Sequence, residues 1–231
     1  INDVQLYYTK ADISSAAAFR SDMNLKKGDF KKKDVAFIYK YSNTLMGVNM
    51  TGENLLKYME WSASYYNTAK KGDVTISFNP NVRSYNYDMF EGIDYDIDIS
   101  QKAGSRIKNV KIKGQSIDPT KLYKVAVNNY RFGTLQSLKL ATPQDVYFDS
   151  YEAMQDAGRI RALIGKYVKD VDKGVISPKV NNNWKIIGFD PDVEGRDKIL
   201  DEIRAGTIKI PASADGRTPN VKSINIYELN N

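Results

Sequence analysis

The chain has 231 residues, enough for one large domain or one domain with an appendage, and its 42% hydrophobic and 27% charged shares are ordinary for a globular protein. It contains no Cys and no His, which excludes Ser-His-Asp and Cys-His catalysis, thiolate chemistry, disulfides and the usual zinc sites, and leaves carboxylate acid–base catalysis or an all-oxygen metal site open. The net charge of +6 favours anionic partners, and no stretch approaches the roughly 20 apolar residues of a membrane span.

Ile1 stands where an initiator Met would, as expected of an excised domain or a processed product, and no signal peptide is read. Residues 3–11 read as mixed structure, and residues 12–19 as a short strand-like or turn region ending in small residues. The basic tract KKGDFKKKD at residues 26–34 reads as a solvated turn between two elements. The apolar runs 35–38 and 45–49 predict strands. Thr51 is placed to cap a helix in which Leu55, Leu56, Met59, Ser62 and Ala63 recur at helical spacing. Residues 94–100 alternate, with Ile93, Tyr95, Ile97 and Ile99 on one face and Asp94, Asp96 and Asp98 on the other. The three acids read as the wet face of a strand, because alternate strand residues rarely converge on one cation.

Residues 108–113 predict another strand, Gly114-Gln115 a turn, and residues 122–128 a buried strand. Residues 154–168 predict a helix with Ile160, Leu163, Ile164 and Val168 on one face, and residues 184–188 a short closing strand. The Pro-, Asp- and Gly-rich FDPDVEG at residues 189–195 predicts a boundary. The expected organisation is a main domain at residues 1–188 and an appendage or linker at residues 189–231. That second part is expected to hold a helix at 196–205, a strand at 207–210 and a loop at 211–220. Hairpins mixed with helices predict an α+β fold, a mixed β-sheet with packed helices.

Two strand ends repeat one pattern. YKYSNTL at residues 39–45, directly after the apolar run 35–38, and VAVNNYRFGT at residues 125–134 each end an apolar run in an aromatic and an amide. Two such ends can clamp a planar ring, since stacking a base on an aromatic contributes roughly 1–3 kcal/mol. An adjacent amide can read the ring's edge with a paired donor and acceptor. The same residues also fit ordinary sheet edges in a chain with 16 tyrosines.

Several longer stretches carry a family resemblance. They are ADISSAAAFR (11–20), YKYSNTL (39–45), TGENLLKYMEWSASYYN (51–67), YNYDMFEGIDYDIDIS (85–100), RIKNVKIKGQSIDPTKLYKVAVNNYR (106–131) and NNNWKI (181–186). In this order they resemble the C-terminal domain of bacterial 5′-nucleotidases, especially of the 2′,3′-cyclic-nucleotide 2′-phosphodiesterase/3′-nucleotidase branch. The resemblance implies a two-domain parent enzyme. An N-terminal metallophosphoesterase domain would hold a divalent metal pair and hydrolyse the ester, and this chain would hold no cofactor and bind the nucleoside. It implies nucleotides or nucleosides and that N-terminal domain as partners, and an extracellular, cell-wall-associated or periplasmic location. It further implies Tyr41 and Tyr130 as the two jaws of a base clamp, Asn43 on the base, and Arg20 near the phosphate or ribose; Arg131, next to Tyr130, is a second candidate for orienting the phosphate side. The chain departs from the family in two places. RFGTLQSLKLATP (131–143) lacks the glycine-rich acidic loop expected near the sugar, and Ala16-Ala17-Ala18-Phe19 replaces the usual Asn-Gly-Gly. The alternative reading is a non-catalytic basic module that binds nucleic acid or an anionic cell surface through residues 26–33 and exposed tyrosines.

Overall fold

The computed structural model describes residues 1–19, 25–177 and 179–229. Its strands form two sheets. The larger contains β1 (Ile13–Ala17), β2 (Leu45–Thr51), β3 (Asp88–Glu91), β7 (Leu122–Asn128) and β8 (Val146–Asp149), ordered β3-β1-β7-β2-β8. The smaller contains β4 (Asp94–Asp98), β5 (Ile107–Ile112), β6 (Gln115–Ser116) and β9 (Trp184–Ile187), ordered β6-β5-β4-β9. Mixed sheets with packed helices make this an α+β protein. The chain divides into one unit of residues 1–58, 88–94 and 111–183, and a second of residues 59–87, 95–110 and 184–231.

The larger sheet belongs to the first unit. β7 is central, parallel to β1 and antiparallel to β2, and Val125, Ala126 and Val127 are fully buried. β1 is ISSAA, buried at every residue. Its small side chains let helix α1 (Asn2–Thr9) lie close. Gln5 then satisfies the buried polar groups, donating to Ser14 Oγ at 2.7 Å and to the Ser15 carbonyl at 2.9 Å. Val4 of α1, Tyr39, Leu45 and Ala126 share one apolar cluster with Ile160, Leu163 and Ile164 of helix α6 (Ile160–Asp170).

Residues 3–11, read as mixed, form α1, which stops at Lys10 in the left-handed conformation. Residues 35–38, expected as a strand, are instead the one-turn helix α2 (Val35–Ile38). A four-residue apolar run carries no period of its own. Here the Lys31 amide donates to the Asp34 carboxylate at 2.7 Å while the Asp34 amide donates to the Lys31 carbonyl at 2.8 Å, starting a 3₁₀ turn that runs directly into the helix. The helix expected over 154–168 is interrupted. Between α2 and β3 the chain forms α3 (Gly52–Ala63), and after β7 come α4 (Asn129–Ser137), then α5 (Ser150–Met154), a 3₁₀ turn over Gln155–Gly158, and α6. Gln155 takes a positive φ of 49°, and Gly158 lies so close to the Ser150 carbonyl that a Cβ there would collide with it. Gly158→Ala is therefore expected to cost about 1–3 kcal/mol of stability, measured as a lower urea midpoint at unchanged m-value.

In the second unit β4 and β9 pair in parallel, from Tyr95↔Trp184 to Asp98↔Ile187. The expected alternation is observed, since Ile93, Tyr95, Ile97 and Ile99 are all 3% exposed or less. Asp96 and Asp98 accept from Asn109 and Ser100. Residues 189–231 fall in this unit with residues 59–87. Ile224 and Ile199 of α7 (Arg196–Ala205) form a small core with Val74, and the Val74 amide donates to the Ile224 carbonyl at 2.7 Å. The strand expected at 207–210 does not form. The amides of Thr207 and Ile208 turn back onto the Glu202 carbonyl, closing α7 behind the left-handed Gly206, so they are withdrawn from any ladder. A last turn, α8 (Ile226–Leu229), ends the described chain.

Candidate functional site

The two segments singled out in the sequence meet, although the first follows the helix α2 and leads into β2 where the end of a strand was expected. β2 begins where β7 ends, with Leu45 opposite Asn128. Beyond that pair the Asn129 amide donates to the Thr44 carbonyl at 3.0 Å, and the Thr44 amide donates to Asn129 Oδ1 at 3.1 Å. The segments carrying Tyr41 and Tyr130 thus leave the sheet at the same end. Asn128 caps α4 through its side chain, which accepts from the Arg131 amide at 2.7 Å. Asn128 and Asn129 are therefore structural amides. Tyr130 sits in the first turn of α4 with its side chain 55% exposed.

On the other side, α2 delivers the chain to Tyr39, which is fully buried, and then to the half-buried Tyr41 and Asn43. Asn43 Nδ2 donates to the Tyr39 hydroxyl at 3.1 Å. Burial pushes the Tyr39 phenol up against the opposing hydrogen bonds of Asn43 and Asn128, so it stays a neutral partner linking both segments. The Phe19 ring meets Tyr39 edge-on at 4.8 Å and Tyr41 at 5.2 Å between centroids. Lys40 Nζ lies 5.0 Å from the centre of the Tyr41 ring. The next residues are held by the start of α6, where the Ile160 amide donates to the Asn43 carbonyl at 2.9 Å and Arg159 and Arg161 donate to Ser42.

Arg131 points elsewhere. Its guanidinium is 3% exposed and pairs with the equally buried Asp88, Nε to Oδ2 at 2.5 Å. Asp88 also accepts from the Tyr58 hydroxyl at 2.5 Å, and that hydroxyl shares a 2.7 Å hydrogen bond with Ser15 Oγ. Burial opposes the charge on Arg131, and the Asp88 carboxylate more than offsets it, so the guanidinium is held in its charged form. Arg20 lies outside the described residues.

A cavity of about 390 Å³ opens beside Phe19, floored by Ala16, Ala17 and Ala18 and edged by Asp3, Glu91 and Met89. The basic tract is exposed at every position from 25 to 33 except the half-buried Phe30. Among the described residues no group of three or more Asp or Glu could hold a metal ion.

Comparison with known proteins places this arrangement. The model of the 5′-nucleotidase C-terminal domain matches residues 1–139. The chain belongs to this family. A 2′,3′-cyclic-nucleotide 2′-phosphodiesterase/3′-nucleotidase of Yersinia enterocolitica is 29% identical to this 5′-nucleotidase C-terminal domain over 225 residues, covering 80% of the chain and 33% of the relative. The trifunctional nucleotide phosphoesterase YfkN of Bacillus subtilis is 30% identical over 178 residues, covering 71% of the chain and 12% of the relative. The chain thus spans a third or less of the curated relatives it matches. The crystal structure of a 5′-nucleotidase precursor from Thermus thermophilus shares the fold at a TM-score of 0.63 and 19% identity, over 82% of this chain and 34% of that one. No helix among the described residues is long and apolar enough to cross a membrane.

Two partners of the site could not be named from sequence. Tyr39 gives one weak signal, an aromatic four residues before Asn43 on the same short segment. Asp88 gives none, lying 43 residues from Arg131.

Proposed function

We propose that this domain binds the nucleoside part of a nucleotide and presents its phosphate ester to a metallophosphoesterase domain of the same parent protein. The observation that carries this reading is the β2–β7 register, which brings the Tyr41 and Tyr130 segments to one end of the sheet with Thr44 and Asn129 tied between them. In the proposal the base lies between Tyr41 and Tyr130. Asn43, which gives one Nδ2 hydrogen to Tyr39, offers its carbonyl oxygen to an N–H on the base. Of the two arginines expected near the phosphate, the reading gives the contact to Arg20, because Arg131 is buried on Asp88. Arg131 acts instead by fixing the turn that carries Tyr130.

The divalent metal pair that drives hydrolysis would belong to the other domain. Binding energy from the remote base would position the scissile bond at it. The names of the Yersinia and Bacillus relatives support a nucleotide ester as the substrate class. An exported location is part of the same proposal.

Calorimetric titration with adenosine and 3′-AMP tests the clamp. The chain is expected to bind both, and Tyr41→Ala and Tyr130→Ala are each expected to weaken binding about tenfold or more, as loss of one stacking surface implies. Binding that ignores both changes, lengthens with oligonucleotide length and falls steeply with salt would overturn it in favour of a polyanion surface on residues 26–33.

A further inference from the structure

The two outer side chains of Tyr41-Ser42-Asn43 are held locally, Tyr41 by the Phe19 ring and Asn43 by the Tyr39 hydroxyl, and Ser42 between them has no such neighbour in the segment. Ser42 is exposed, Tyr41 and Asn43 are half-buried, and no strand pairs with them. A loop of that kind would sample many conformations unless something fixes it, and a clamp jaw that moves loses affinity to ordering cost. The contacts that fix Ser42 and the backbone of this segment come from more than a hundred residues away.

Arg159 Nη1 donates to the Ser42 carbonyl at 2.9 Å, and Arg161 Nη2 donates to Ser42 Oγ at 3.1 Å. Between them the Ile160 amide donates to the Asn43 carbonyl at 2.9 Å, and Thr44 bridges Arg159. Arg159 is itself oriented by Asp156, 2.8 Å from Nη2. The base of this bracket is cinched to the sheet. Ser150 Oγ accepts from the Leu45 amide at 2.8 Å and donates to the Gly158 carbonyl at 2.6 Å, so one hydroxyl joins the start of β2 to the turn before α6. Gly158 permits that approach because it has no Cβ to strike Ser150.

We infer that Arg159 and Arg161 are positioning residues for nucleoside recognition, holding the jaw that carries Tyr41 and Asn43 in the geometry that receives the base. This rests on the clamp reading above. It assigns a role to two residues that touch neither the base nor the phosphate. Their guanidiniums, partly exposed, are spent on one serine of the jaw. Planar, multidentate donors of this type hold a backbone carbonyl and a hydroxyl in fixed directions, which a single ammonium does less well.

The test uses the intact chain with the variants Arg159→Gln, Arg161→Gln, Arg161→Lys and Ser42→Ala. Two quantities are read, hydrogen exchange of residues 40–45 without ligand and calorimetric affinity for 3′-AMP. Each glutamine variant is expected to speed exchange in residues 40–45 and to weaken 3′-AMP binding about fivefold to tenfold, while exchange in β7 and the thermal midpoint stay near wild type. Arg161→Lys is expected to recover part of the loss. Arg161→Gln and Ser42→Ala are expected to be non-additive, because both remove the same hydrogen bond.

Unchanged exchange and unchanged affinity in both glutamine variants would overturn the inference. So would equal acceleration across β7, which would make the arginines general stabilisers. A wild-type chain that binds no nucleotide would refute the clamp separately. Exchange would then still decide the bracket, since acceleration confined to residues 40–45 supports it and its absence refutes it.

Discussion

Arg131→Met is expected to lower the stability of the chain by about 3–5 kcal/mol, the range for removing one partner of a buried ion pair. The cost comes from what is left behind. Asp88 and Arg131 are each 3% exposed, and Asp88 would keep its charge in an apolar interior with the neutral Tyr58 hydroxyl beside it in place of a cation. Burial already pushes the Asp88 carboxyl up against the pull of Arg131 and Tyr58, so without Arg131 it would take up a proton more readily still. The variant's deficit should therefore shrink as pH falls, because protonation removes the uncompensated charge. The double variant Arg131→Met with Asp88→Asn should recover part of the loss, since it leaves no buried charge. Tyr58→Phe should cost about 1.5–3 kcal/mol, less than Arg131→Met, as it removes a neutral donor to a charged acceptor and leaves the cation in place. Urea unfolding at pH 7 and pH 5 measures all of these. A deficit under about 1 kcal/mol for Arg131→Met, or one independent of pH, would show that water reaches Asp88 and that the pair is not sealed. The functional consequence is local, because Arg131 and Tyr130 are neighbours in the first turn of α4. Loosening that turn should also weaken 3′-AMP binding, even where the domain stays folded.

What the sequence allowed and what it hid divide along physical lines. The strand over 94–98 was legible because a half-buried strand writes its period directly, apolar at every second residue. The helix over 196–205 was legible because Gly195 and Gly206 stand at its ends, both left-handed in the structure. The run 35–38 was ambiguous, since four apolar residues have no period and the deciding cap lies outside them, at Lys31 and Asp34. The break in the helix over 154–168 came from Gly158, whose close approach to Ser150 depends on tertiary packing that no local pattern records. At the site, Tyr41, Asn43 and Tyr130 stood out because aromatic and amide side chains beside strand ends are local features. Their supports did not. Arg159 is 117 residues from Ser42, and only the fold brings them together. Arg131 shows the opposite hazard, a cation beside a candidate aromatic that the structure turns inward to Asp88.

The second unit has its own single point of failure, and Arg106→Met is expected to cost it about 3–4 kcal/mol. Arg106 is 2% exposed, among the largest fully buried side chains. Its Nη1 donates to the carbonyls of Ala63 and Tyr66 at 2.8 and 2.6 Å, its Nε to the Gln101 carbonyl at 3.0 Å, and its Nη2 to Thr68 Oγ1 at 3.2 Å. Ala63 is the last residue of α3, so the guanidinium satisfies carbonyls that a helix end leaves unpaired and places positive charge where the helix dipole favours it. Burial lowers the pKa of Arg106 while Glu60 raises it, and the same Glu60 carboxylate holds the backbone by accepting the Arg106 and Ile107 amides at 3.0 and 2.8 Å. Methionine fills the stem's volume and makes none of these bonds. The buried Tyr66 carbonyl then loses its donor, the buried Ala63 carbonyl keeps only the longer bond from the Tyr66 amide at 3.3 Å, and the Gln101 carbonyl turns to water. Arg106→Lys should recover less than half, because one ammonium cannot reach acceptors spread along 63–68 and 101 together. Glu60→Gln should cost about 1–2 kcal/mol, since a neutral amide oxygen accepts one amide well and two poorly. Hydrogen exchange locates the effect. Faster exchange in residues 63–68 and 101–107, with β7 unchanged, is the expected pattern for a staple of the second unit. A methionine variant as stable as wild type would mean the carbonyls find other donors, and the role assigned to Arg106 would fall.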